Sequence, residues 1–320
     1  MARQKRAVVI FNLGGPDSPE AIQPFLFNLF YDKAIISVPN PLRWLIAKII
    51  SSRRAPEAST IYGKIGGRSP ILPETQQQAD ALQQALNQAN PACEHRVFIA
   101  MRYWHPFVQE AAEDVAAWQP DDIFLLPLYP QFSTTTTETG FDAWDKEAAR
   151  LGLDQPSRRV VSYEDNPGWV AAQVDLLQAA LAGAGDNIRI LFSAHGLPKR
   201  TVDRGDPYPD QVETGARAIM AAMGNDAPDW QICYQSRVGP LEWIGPSLDD
   251  ALQQATADGV GVVVVPISFV SEHSETLVEL DMEYRDIAAE LGVSPYSRVP
   301  AVGIHPSFIG GLVDLVREAN

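Results

Sequence analysis

Hydrophobic residues along this chain fall in short continuous runs that alternate with longer stretches of helical periodicity. The runs are rich in Val, Ile and Leu and end in Gly, Pro or polar residues, as is typical of strands buried on both faces of a parallel sheet. They predict strands at residues 8–12, 96–101, 123–128, 159–163, 188–193, 231–234, 260–267 and 298–303. Between them, apolar residues three and four positions apart predict helices, for example at residues 74–88, 108–118, 169–181 and 246–257. This alternation indicates parallel sheets built from βαβ units.

The two halves of the chain place polar residues at matching points. The first strand of one half runs into Asn12-Leu-Gly-Gly-Pro16, and that of the other into Ser193-Ala-His-Gly-Leu-Pro198. The correspondence continues through the following strands. We therefore predict an α/β fold of two Rossmann-like domains, each a four-stranded parallel sheet flanked by helices, over residues 1–163 and 164–320. We expect a cleft between them lined by strand C-termini, and a final helix near residues 307–318 that packs on either domain.

An acidic helical pattern follows the strand predicted at residues 260–267. One face carries apolar residues, namely Leu277, Leu280, Tyr284, Ile287 and Leu291, and the opposite face carries Glu275, Glu279, Glu283 and Asp286. The solvent face of an amphipathic helix explains Glu283 and Asp286. Glu275 and Glu279 need a further reason, because like charges four positions apart cost a helix roughly 0.2–0.5 kcal/mol per pair. A cation passing along the row would relieve that repulsion.

Three titratable side chains are expected at strand ends in the second half. His195 follows the strand at residues 188–193, and His273 and Glu275 follow the strand at 260–267. Because the carboxyl ends of parallel strands meet at one edge of a sheet, these groups should converge, as acid–base or metal chemistry requires. A lone histidine in this position is as often structural as catalytic, and His95, His105 and His305 are interpreted as structural.

The His-x-Glu spacing of His273 and Glu275 does not complete a closed metal site. An open set of ligands suits a metal ion that must be released rather than held. Glycine-rich turns offer little support for nucleotide binding, since Asn12-Leu-Gly-Gly-Pro16 is not a GxGxxG motif and Gly66-Gly-Arg-Ser-Pro70 lacks the Lys-Ser/Thr of a P-loop. Arg54, Tyr62 and Ser69 could together donate hydrogen bonds to a carboxylate ligand.

Composition narrows the class of protein. The chain has 320 residues, of which 46% are hydrophobic, and a net charge of −15, which argues against nucleic acid as a partner. The two cysteines, Cys93 and Cys233, provide neither a disulfide framework nor a thiolate metal site. The apolar run after the N-terminus is too short for a signal peptide or a membrane span, so we expect a cytoplasmic location.

A segment at about residues 24–54 is strongly apolar and locally basic. Its prolines, Pro39 and Pro41, exclude a single spanning helix. One interpretation is a buried pair of helices. The other is an amphipathic lip that enters a membrane surface, with basic residues meeting anionic lipid. The segment is basic in a protein that is otherwise acidic, and this favours the interpretation as a lip. Its basic residues are Lys33, Arg43, Lys48, Arg53 and Arg54.

Seven motifs, in order from about residue 8 to 306, together resemble the ferrochelatase family. They are Asn-Leu-Gly-Gly-Pro, Tyr-Gly-Lys-Ile-Gly-Gly-Arg-Ser-Pro-Ile, Met-Arg-Tyr-Trp-His-Pro, Leu-Tyr-Pro-Gln-Phe-Ser, Phe-Ser-Ala-His-Gly-Leu-Pro, Tyr-Gln-Ser-Arg-Val-Gly-Pro and Ser-Glu-His-Ser-Glu-Thr-Leu-Val-Glu-Leu-Asp. The resemblance implies an enzyme that inserts Fe²⁺ into protoporphyrin IX with release of two protons, the last step of haem synthesis. It also implies a cleft between two Rossmann-like domains.

The resemblance implies roles for individual residues. His195 and Glu275 match the catalytic pair of the family. The residues matching its metal path are His195, His273, Glu275 and Glu279, and those matching porphyrin contacts are Leu13, Arg54, Tyr62, Ser69, Arg102, Tyr103 and Trp243. Which of His195 and Glu275 handles metal and which handles protons stays open.

The resemblance also implies the partners of the protein. Fe²⁺ and protoporphyrin IX are substrates, and no tightly bound cofactor is expected. No iron–sulfur cluster is expected either, because the cysteine-rich extension of animal members is missing. A mitochondrial transit peptide is missing as well. Both absences are expected of a bacterial enzyme. The lip suggests a peripheral position on the inner face of the cell membrane, and contact with the preceding haem-pathway enzyme is a further expectation.

Two other functions remain open at this point. One is a cobalt or nickel chelatase that acts on a less apolar tetrapyrrole. The long apolar lip argues against this function. The other is a non-catalytic carrier of haem or another tetrapyrrole, which would not need an acidic row. The sequence does not distinguish protoporphyrin from coproporphyrin as substrate.

Overall fold

The computed structural model describes residues 3–224, 227–237, 239 and 241–318. The chain forms two compact units, which are Met1–Ser162 with Leu312–Asn320, and Tyr163–Gly311. We refer to them as unit 1 and unit 2. The final helix, α11 (Pro306–Glu318), begins in unit 2, and its residues from Leu312 onward belong to unit 1.

Unit 1 contains a parallel sheet in the order β2-β1-β3-β4. Its strands are β1 (Gln4–Asn12), β2 (Cys93–Met101), β3 (Asp122–Pro127) and β4 (Ser157–Arg159). Its helices are α1 (Ile22–Tyr31), α2 (Leu42–Gly63), α3 (Ile71–Ala89), α4 (Val108–Trp118) and α5 (Thr137–Leu151), with a 3₁₀ turn at Pro19–Ala21. The apolar strand β1 lies in the middle of the sheet, where both of its faces are covered, and it packs on a core that includes Trp144.

Unit 2 repeats this topology with the order β6-β5-β7-β8. Its strands are β5 (Ile188–His195), β6 (Asp229–Gln235), β7 (Gly261–Pro266) and β8 (Tyr296–Arg298). Its other helices are α6 (Pro167–Leu181), α7 (Lys199–Val202), α8 (Tyr208–Met223), α9 (Leu248–Asp258), a π-helix (Glu275–Glu283) and α10 (Tyr284–Glu290). The prediction of two four-stranded parallel sheets flanked by helices is confirmed.

The two edge strands β4 and β8 were predicted too far along the chain. The apolar residues that suggested strands, such as Val160 and Val299, are buried, but each lies just after its strand has ended. Val160 N–H still bonds to Leu125 O at 3.0 Å, and Val299 N–H bonds to Val264 O at 2.8 Å. The strands themselves consist of polar or partly exposed residues, because an edge strand is less enclosed than a central one, so periodicity alone did not locate them.

The helix after β7 also differs from its prediction. Its first nine residues form a π-helix, in which the Tyr284 N–H bonds back to Glu279 O, five residues earlier. The wider turn changes the buried set, which is Thr276, Val278, Leu280 and Tyr284, whereas Leu277, Ile287 and Leu291 are only partly covered. Leu280 and Tyr284 pack on the sheet of unit 2. Glu283 and Asp286 are exposed, as predicted.

The apolar segment at residues 24–54 has one buried side and one exposed side. Phe25 and Leu26 of α1 lie in a core cluster with Tyr62 and Tyr103. Five of the nine large hydrophobic side chains exposed in the described chain belong to this segment; they are Ile35, Leu42, Trp44, Leu45 and Ile49. No helix among the described residues is long and apolar enough to cross a membrane. The buried side agrees with the interpretation as a helix pair, and entry of the exposed side into a membrane surface stays a prediction.

Candidate active site

The C-terminal end of β5 and the start of the π-helix bring His195 and Glu275 together. His195 Nδ1 lies 2.8 Å from Glu275 Oε2. Because a carboxylate can only accept, Nδ1 is the donor, and Nε2 of the neutral ring is then an acceptor. The His195 side chain is 38% exposed, so the ring remains reachable by a substrate. The expected convergence of His195 and Glu275 is present in the structure.

Gly196, directly after His195, lies where the chain passes close to its neighbours. Its N–H bonds to Gln235 O at 2.9 Å, and a Cβ placed on it would lie 2.9 Å from that oxygen and 3.3 Å from the Trp243 ring. A larger residue would push away both β6 and the tryptophan. Trp243, a predicted porphyrin contact, therefore packs against Gly196, the residue that follows the candidate catalytic histidine.

A second carboxylate, Glu279, joins the cluster through Ser236. The Ser236 backbone has a φ of 60° and aims its N–H at Glu279 Oε1, 2.9 Å away. The Ser236 Oγ lies 2.6 Å from Glu279 Oε2 and 3.1 Å from Glu275 Oε2. Gln235 adds a weaker contact, with Nε2 at 3.3 Å from Glu279 Oε2, and its own Oε1 accepts from Ser193 Oγ at 2.7 Å. One serine thus links both carboxylates.

His273 lies behind Glu275 and is buried. Its Nδ1 is 3.2 Å from Ser271 O, and its ring packs edge-on against Phe269 with centroids 4.4 Å apart. Its Nε2 is 3.9 Å from Glu275 Oε2. His273 therefore lies close enough to Glu275 to help lower the pKa of its carboxyl.

The groups of this cluster shift one another's pKa values. Burial opposes the charge on His195, but Glu275 and Glu279 outweigh it and raise the pKa of His195. Burial likewise opposes the charge on Glu275, but His195 and His273 outweigh it and hold the pKa of Glu275 well below its usual value. For Glu279, burial and the adjacent Glu275 raise the pKa to about 7. At neutral pH Glu275 is therefore ionised, the raised pKa of His195 makes its ring a stronger base, and Glu279 is close to half-protonated.

Unit 1 holds a separate group of predicted porphyrin contacts at the end of β2. Arg102 Nη2 lies 2.6 Å from Asp32 Oδ2, and the Tyr103 hydroxyl donates to the same oxygen at 3.0 Å. Leu13, at the end of β1, packs on the cluster that contains Tyr103. Asp32, the residue after α1, lies seventy residues before Arg102 and was not identified from the sequence pattern.

Tyr129 was also missed by sequence reasoning. It follows β3, and burial raises the pKa of its hydroxyl, an effect that the nearby Arg102 opposes. The sequence feature that could have indicated Tyr129 is its place in the Leu-Tyr-Pro-Gln-Phe-Ser motif, directly after a predicted buried strand. In unit 2 the corresponding signal for Ser236 was its position directly after β6.

The three predicted propionate donors lie in different surroundings. Arg54 is on α2 with a 39% exposed side chain, 3.7 Å from Glu57. Tyr62, on the same helix, is buried in the core cluster of unit 1. Ser69 is buried between α2 and α3, where its Oγ accepts from Ile71 N–H at 3.3 Å. Their joint role in binding a carboxylate stays a prediction.

No group of three or more His, Cys, Asp or Glu side chains in the described part of the chain is arranged to hold a metal ion. His195 and Glu275 are hydrogen-bonded to each other instead, and Glu279 to Ser236. The metal contacts expected at His195, His273, Glu275 and Glu279 therefore stay a prediction. Of the motif Tyr-Gln-Ser-Arg-Val-Gly-Pro, Val238 and Pro240 lie outside the described residues.

Comparison with known proteins decides the family. The ferrochelatase family model matches residues 5–320. The chain belongs to the ferrochelatase family. It is 51% identical to a ferrochelatase from Caulobacter vibrioides over 318 residues, which cover 99% of this chain and 90% of the relative. It is 50% identical to a ferrochelatase from Wolbachia pipientis wMel over 313 residues, covering 97% of this chain and 98% of the relative.

Solved structures show the same fold at low sequence identity. SirB from Bacillus subtilis with Fe³⁺ matches with a TM-score of 0.59 and 12% identity, over 99% of this chain and 95% of that one. The sirohydrochlorin chelatase SirB from Bacillus subtilis subspecies spizizenii in complex with cobalt matches with a TM-score of 0.55 and 14% identity, over 99% and 95%. These likenesses concern the fold alone. The family match identifies the protein as a ferrochelatase-family enzyme that inserts iron into a porphyrin, as the motifs predicted, rather than a carrier.

Proposed function

We propose that this enzyme inserts Fe²⁺ into protoporphyrin IX to form protohaem, with His195 and Glu275 at the reacting centre. The observation that carries the proposal is the 2.8 Å bond between His195 Nδ1 and Glu275 Oε2 in a cluster with Glu279. Iron insertion requires the two protons on the inner porphyrin nitrogens to be removed. A neutral imidazole with Nδ1 held by a carboxylate presents Nε2 as a proton acceptor.

The carboxylates serve both the proton and the metal in this proposal. When His195 Nε2 takes a proton from a pyrrole N–H, the ring becomes a cation, and Glu275 stabilises it across their hydrogen bond. His195 then passes this proton to water and accepts the second one, so that two protons leave the porphyrin as one Fe²⁺ enters. Carboxylate oxygens are hard, labile ligands, and Glu275 and Glu279 suit brief contact with Fe²⁺ before transfer.

The residues predicted as porphyrin contacts are assigned to porphyrin binding. Leu13 and Trp243 offer apolar surface to the macrocycle, and Arg102 and Tyr103, held by Asp32, offer polar contacts. The propionates are assigned to the donors predicted from the sequence, namely Arg54, Tyr62 and Ser69. Binding energy from these remote contacts can be used to bend the ring and expose the nitrogen lone pairs.

The exposed apolar residues of α2 and its preceding loop support a peripheral membrane position. Protoporphyrin is poorly soluble in water, so an enzyme resting on the bilayer could receive it without passage through solvent. Shallow insertion of Leu42, Trp44, Leu45 and Ile49 would provide affinity, with nearby Lys48 and Arg53 facing anionic lipid.

The catalytic assignment is tested by following insertion of Fe²⁺ into protoporphyrin IX, with coproporphyrin as a second substrate. Since positioned acid–base groups contribute about 10²–10⁴-fold, His195→Ala and Glu275→Gln should each reduce kcat/KM by about 10²-fold or more. His305→Ala is the control, because His305 lies directly before α11, 3.5 Å from Asp175, and has no proposed role in the reaction; this variant should remain near wild type. A folded His195→Ala protein within threefold of wild type would contradict the assignment, and higher kcat/KM with coproporphyrin would change the substrate.

A further inference from the structure

Arg298, the last residue of β8, is a buried cation that no part of the proposed reaction uses. Its side chain is only 6% exposed. Nε and Nη2 bind the two oxygens of Asp281 at 2.9 and 2.6 Å, forming a bidentate pair. Nη1 donates to Glu272 Oε1 at 2.9 Å and to Val299 O at 3.1 Å. Four donor contacts are therefore made by one planar group whose orientation is strongly restricted.

The two carboxylates bound by Arg298 flank the site residues in sequence. Glu272 lies just before the π-helix, and its Oε1 also accepts from Ala301 N–H at 2.9 Å. Asp281 lies within the π-helix. Glu275 and Glu279 fall between these two anchors. A single arginine thus fastens the chain on both sides of the two site carboxylates.

A second contact from β8 reaches the same helix. The Tyr296 hydroxyl donates to Leu280 O at 2.7 Å. Tyr296 and Arg298 are two residues apart on a strand, so their side chains share one face. That face of β8 therefore binds a backbone carbonyl and an acidic side chain at neighbouring positions of the π-helix.

The contacts matter because π-helical bonding is rare and is usually found in short functional segments. Relaxation toward the α-helical pattern would rotate the residues of the helix relative to one another. Such a rotation would shift Glu279 relative to Ser236, whose hydroxyl and N–H now meet it at 2.6 and 2.9 Å. A restraint that acts at both Glu272 and Asp281 opposes this change.

From this arrangement we infer that Arg298 is a positioning residue for iron insertion, which holds the π-helix so that Glu275 and Glu279 face His195 and Ser236. Arg298 itself touches none of these four residues in the contacts described above. The inference rests on the proposed roles of Glu275 and Glu279.

Substitutions at both ends of the contact test the inference. Arg298→Lys keeps the charge but loses the bidentate fork, and Arg298→Met removes both. Since Arg298→Met deprives two partly buried carboxylates of their main cation and risks failing to fold, Asp281→Asn provides a milder loss that retains the pair with Glu272. Arg285→Gln is the matched control, because Arg285 is an exposed arginine of the same segment, 3.8 Å from the same Asp281.

Two measurements are made well below the melting temperature of each variant. At saturating porphyrin, kcat/KM for Fe²⁺ should fall by about tenfold in Arg298→Lys and Asp281→Asn, because small misplacements of reacting groups are costly. Hydrogen exchange at the backbone amides of residues 277–284 should become faster in both. Arg285→Gln should stay within twofold of wild type in both measurements.

Wild-type kcat/KM and wild-type exchange in folded Arg298→Lys and Asp281→Asn would overturn the inference. A lower melting temperature with unchanged kcat/KM for Fe²⁺ would also overturn it, since that pattern marks an ordinary structural role. If Glu275→Gln proved fully active, the proposed function would fail, whereas the exchange measurement would still decide whether Arg298 restrains the π-helix.

Discussion

The hydroxyl of Ser236 illustrates how one residue can make two neighbouring carboxylates compatible. A hydroxyl has one proton, yet Ser236 Oγ lies within hydrogen-bond distance of both Glu275 and Glu279. The low pKa of Glu275 and the pKa of about 7 for Glu279 resolve the apparent conflict. Below pH 7, protonated Glu279 can donate to Ser236, which then donates to ionised Glu275. The left-handed backbone at Ser236 places the hydroxyl where this is possible.

Glu279→Gln should therefore change stability in a pH-dependent way. The pKa of Glu279 is raised from 4.5 to about 7, so the folded protein binds this proton more tightly than the unfolded chain. The resulting stabilisation is complete below about pH 4.5 and is lost as the pH rises through 7. Because Gln is uncharged throughout, the variant should have a higher Tm than wild type at pH 8 and nearly the same Tm at pH 5.

The control for this comparison is Glu283→Gln, four residues further along and exposed. It should leave Tm nearly unchanged at both pH values. An equal Tm difference between Glu279→Gln and wild type at pH 5 and pH 8 would contradict the assigned titration of Glu279.

At the scale of elements, α1 is packed into the core of unit 1, whereas the start of α2 exposes apolar side chains. Phe25 and Leu26 fasten α1 to the core of unit 1, whereas the first two turns of α2 present large apolar side chains to solvent. Phe27 stacks on Tyr31 at 5.5 Å between centroids, and Leu29 and Phe30 pack against the core cluster. Substituting these packed residues would disturb the fold, so the exposed set is the better probe of membrane binding.

Changing Leu42, Trp44, Leu45 and Ile49 to Ser should weaken binding to anionic liposomes by tenfold or more, at roughly 25 cal/mol per Å² of apolar area withdrawn from water. Binding of the unchanged protein should fall as salt is added, because basic residues contribute roughly 1 kcal/mol each near an anionic surface. Insertion of Fe²⁺ into a water-soluble porphyrin should be retained. Vesicle sedimentation and the insertion assay measure the two properties.

The control for the lip replaces Val161 and Ile304, which are 49% and 50% exposed and lie outside the segment, with Ser. It should bind vesicles like wild type. Failure of the intact protein to bind anionic vesicles would rule out the membrane interpretation, and equal weakening in the control would show that the segment has no special role.

At the scale of the whole molecule, strong net negative charge coexists with a basic segment. The sequence has 25 basic and 40 acidic residues, a difference of −15. An overall negative field raises the local concentration of cations and speeds their arrival, and it is screened over a Debye length of about 10 Å at 0.1 M salt. The charge is therefore suited to a small cationic substrate.

We expect kcat/KM for Fe²⁺ to fall severalfold as NaCl is raised from about 20 to about 300 mM at saturating porphyrin, since salt screens the attraction. For the porphyrin, whose propionates are anionic, kcat/KM should stay constant or rise over the same range. Steady-state insertion kinetics at varied ionic strength measure both. A salt-independent kcat/KM for Fe²⁺ would show that the net charge does not assist metal capture.

The sequence by itself determined the fold class, the repeated order of strands and helices, the position of His195 at a strand end and that of His273 and Glu275 in the segment after a strand. These follow from local periodicity and from the rule that parallel strands present their carboxyl ends at one edge. Tertiary structure alone decided the π-helical bonding and the hydrogen bonds of Ser236 to Glu275 and Glu279. It alone also decided two ion pairs, that of Arg102 with Asp32 and that of Arg298 with Asp281. The physical reason is distance along the chain: these partners lie 39, 43, 70 and 17 residues apart, and no periodic pattern connects residues that only packing brings into contact.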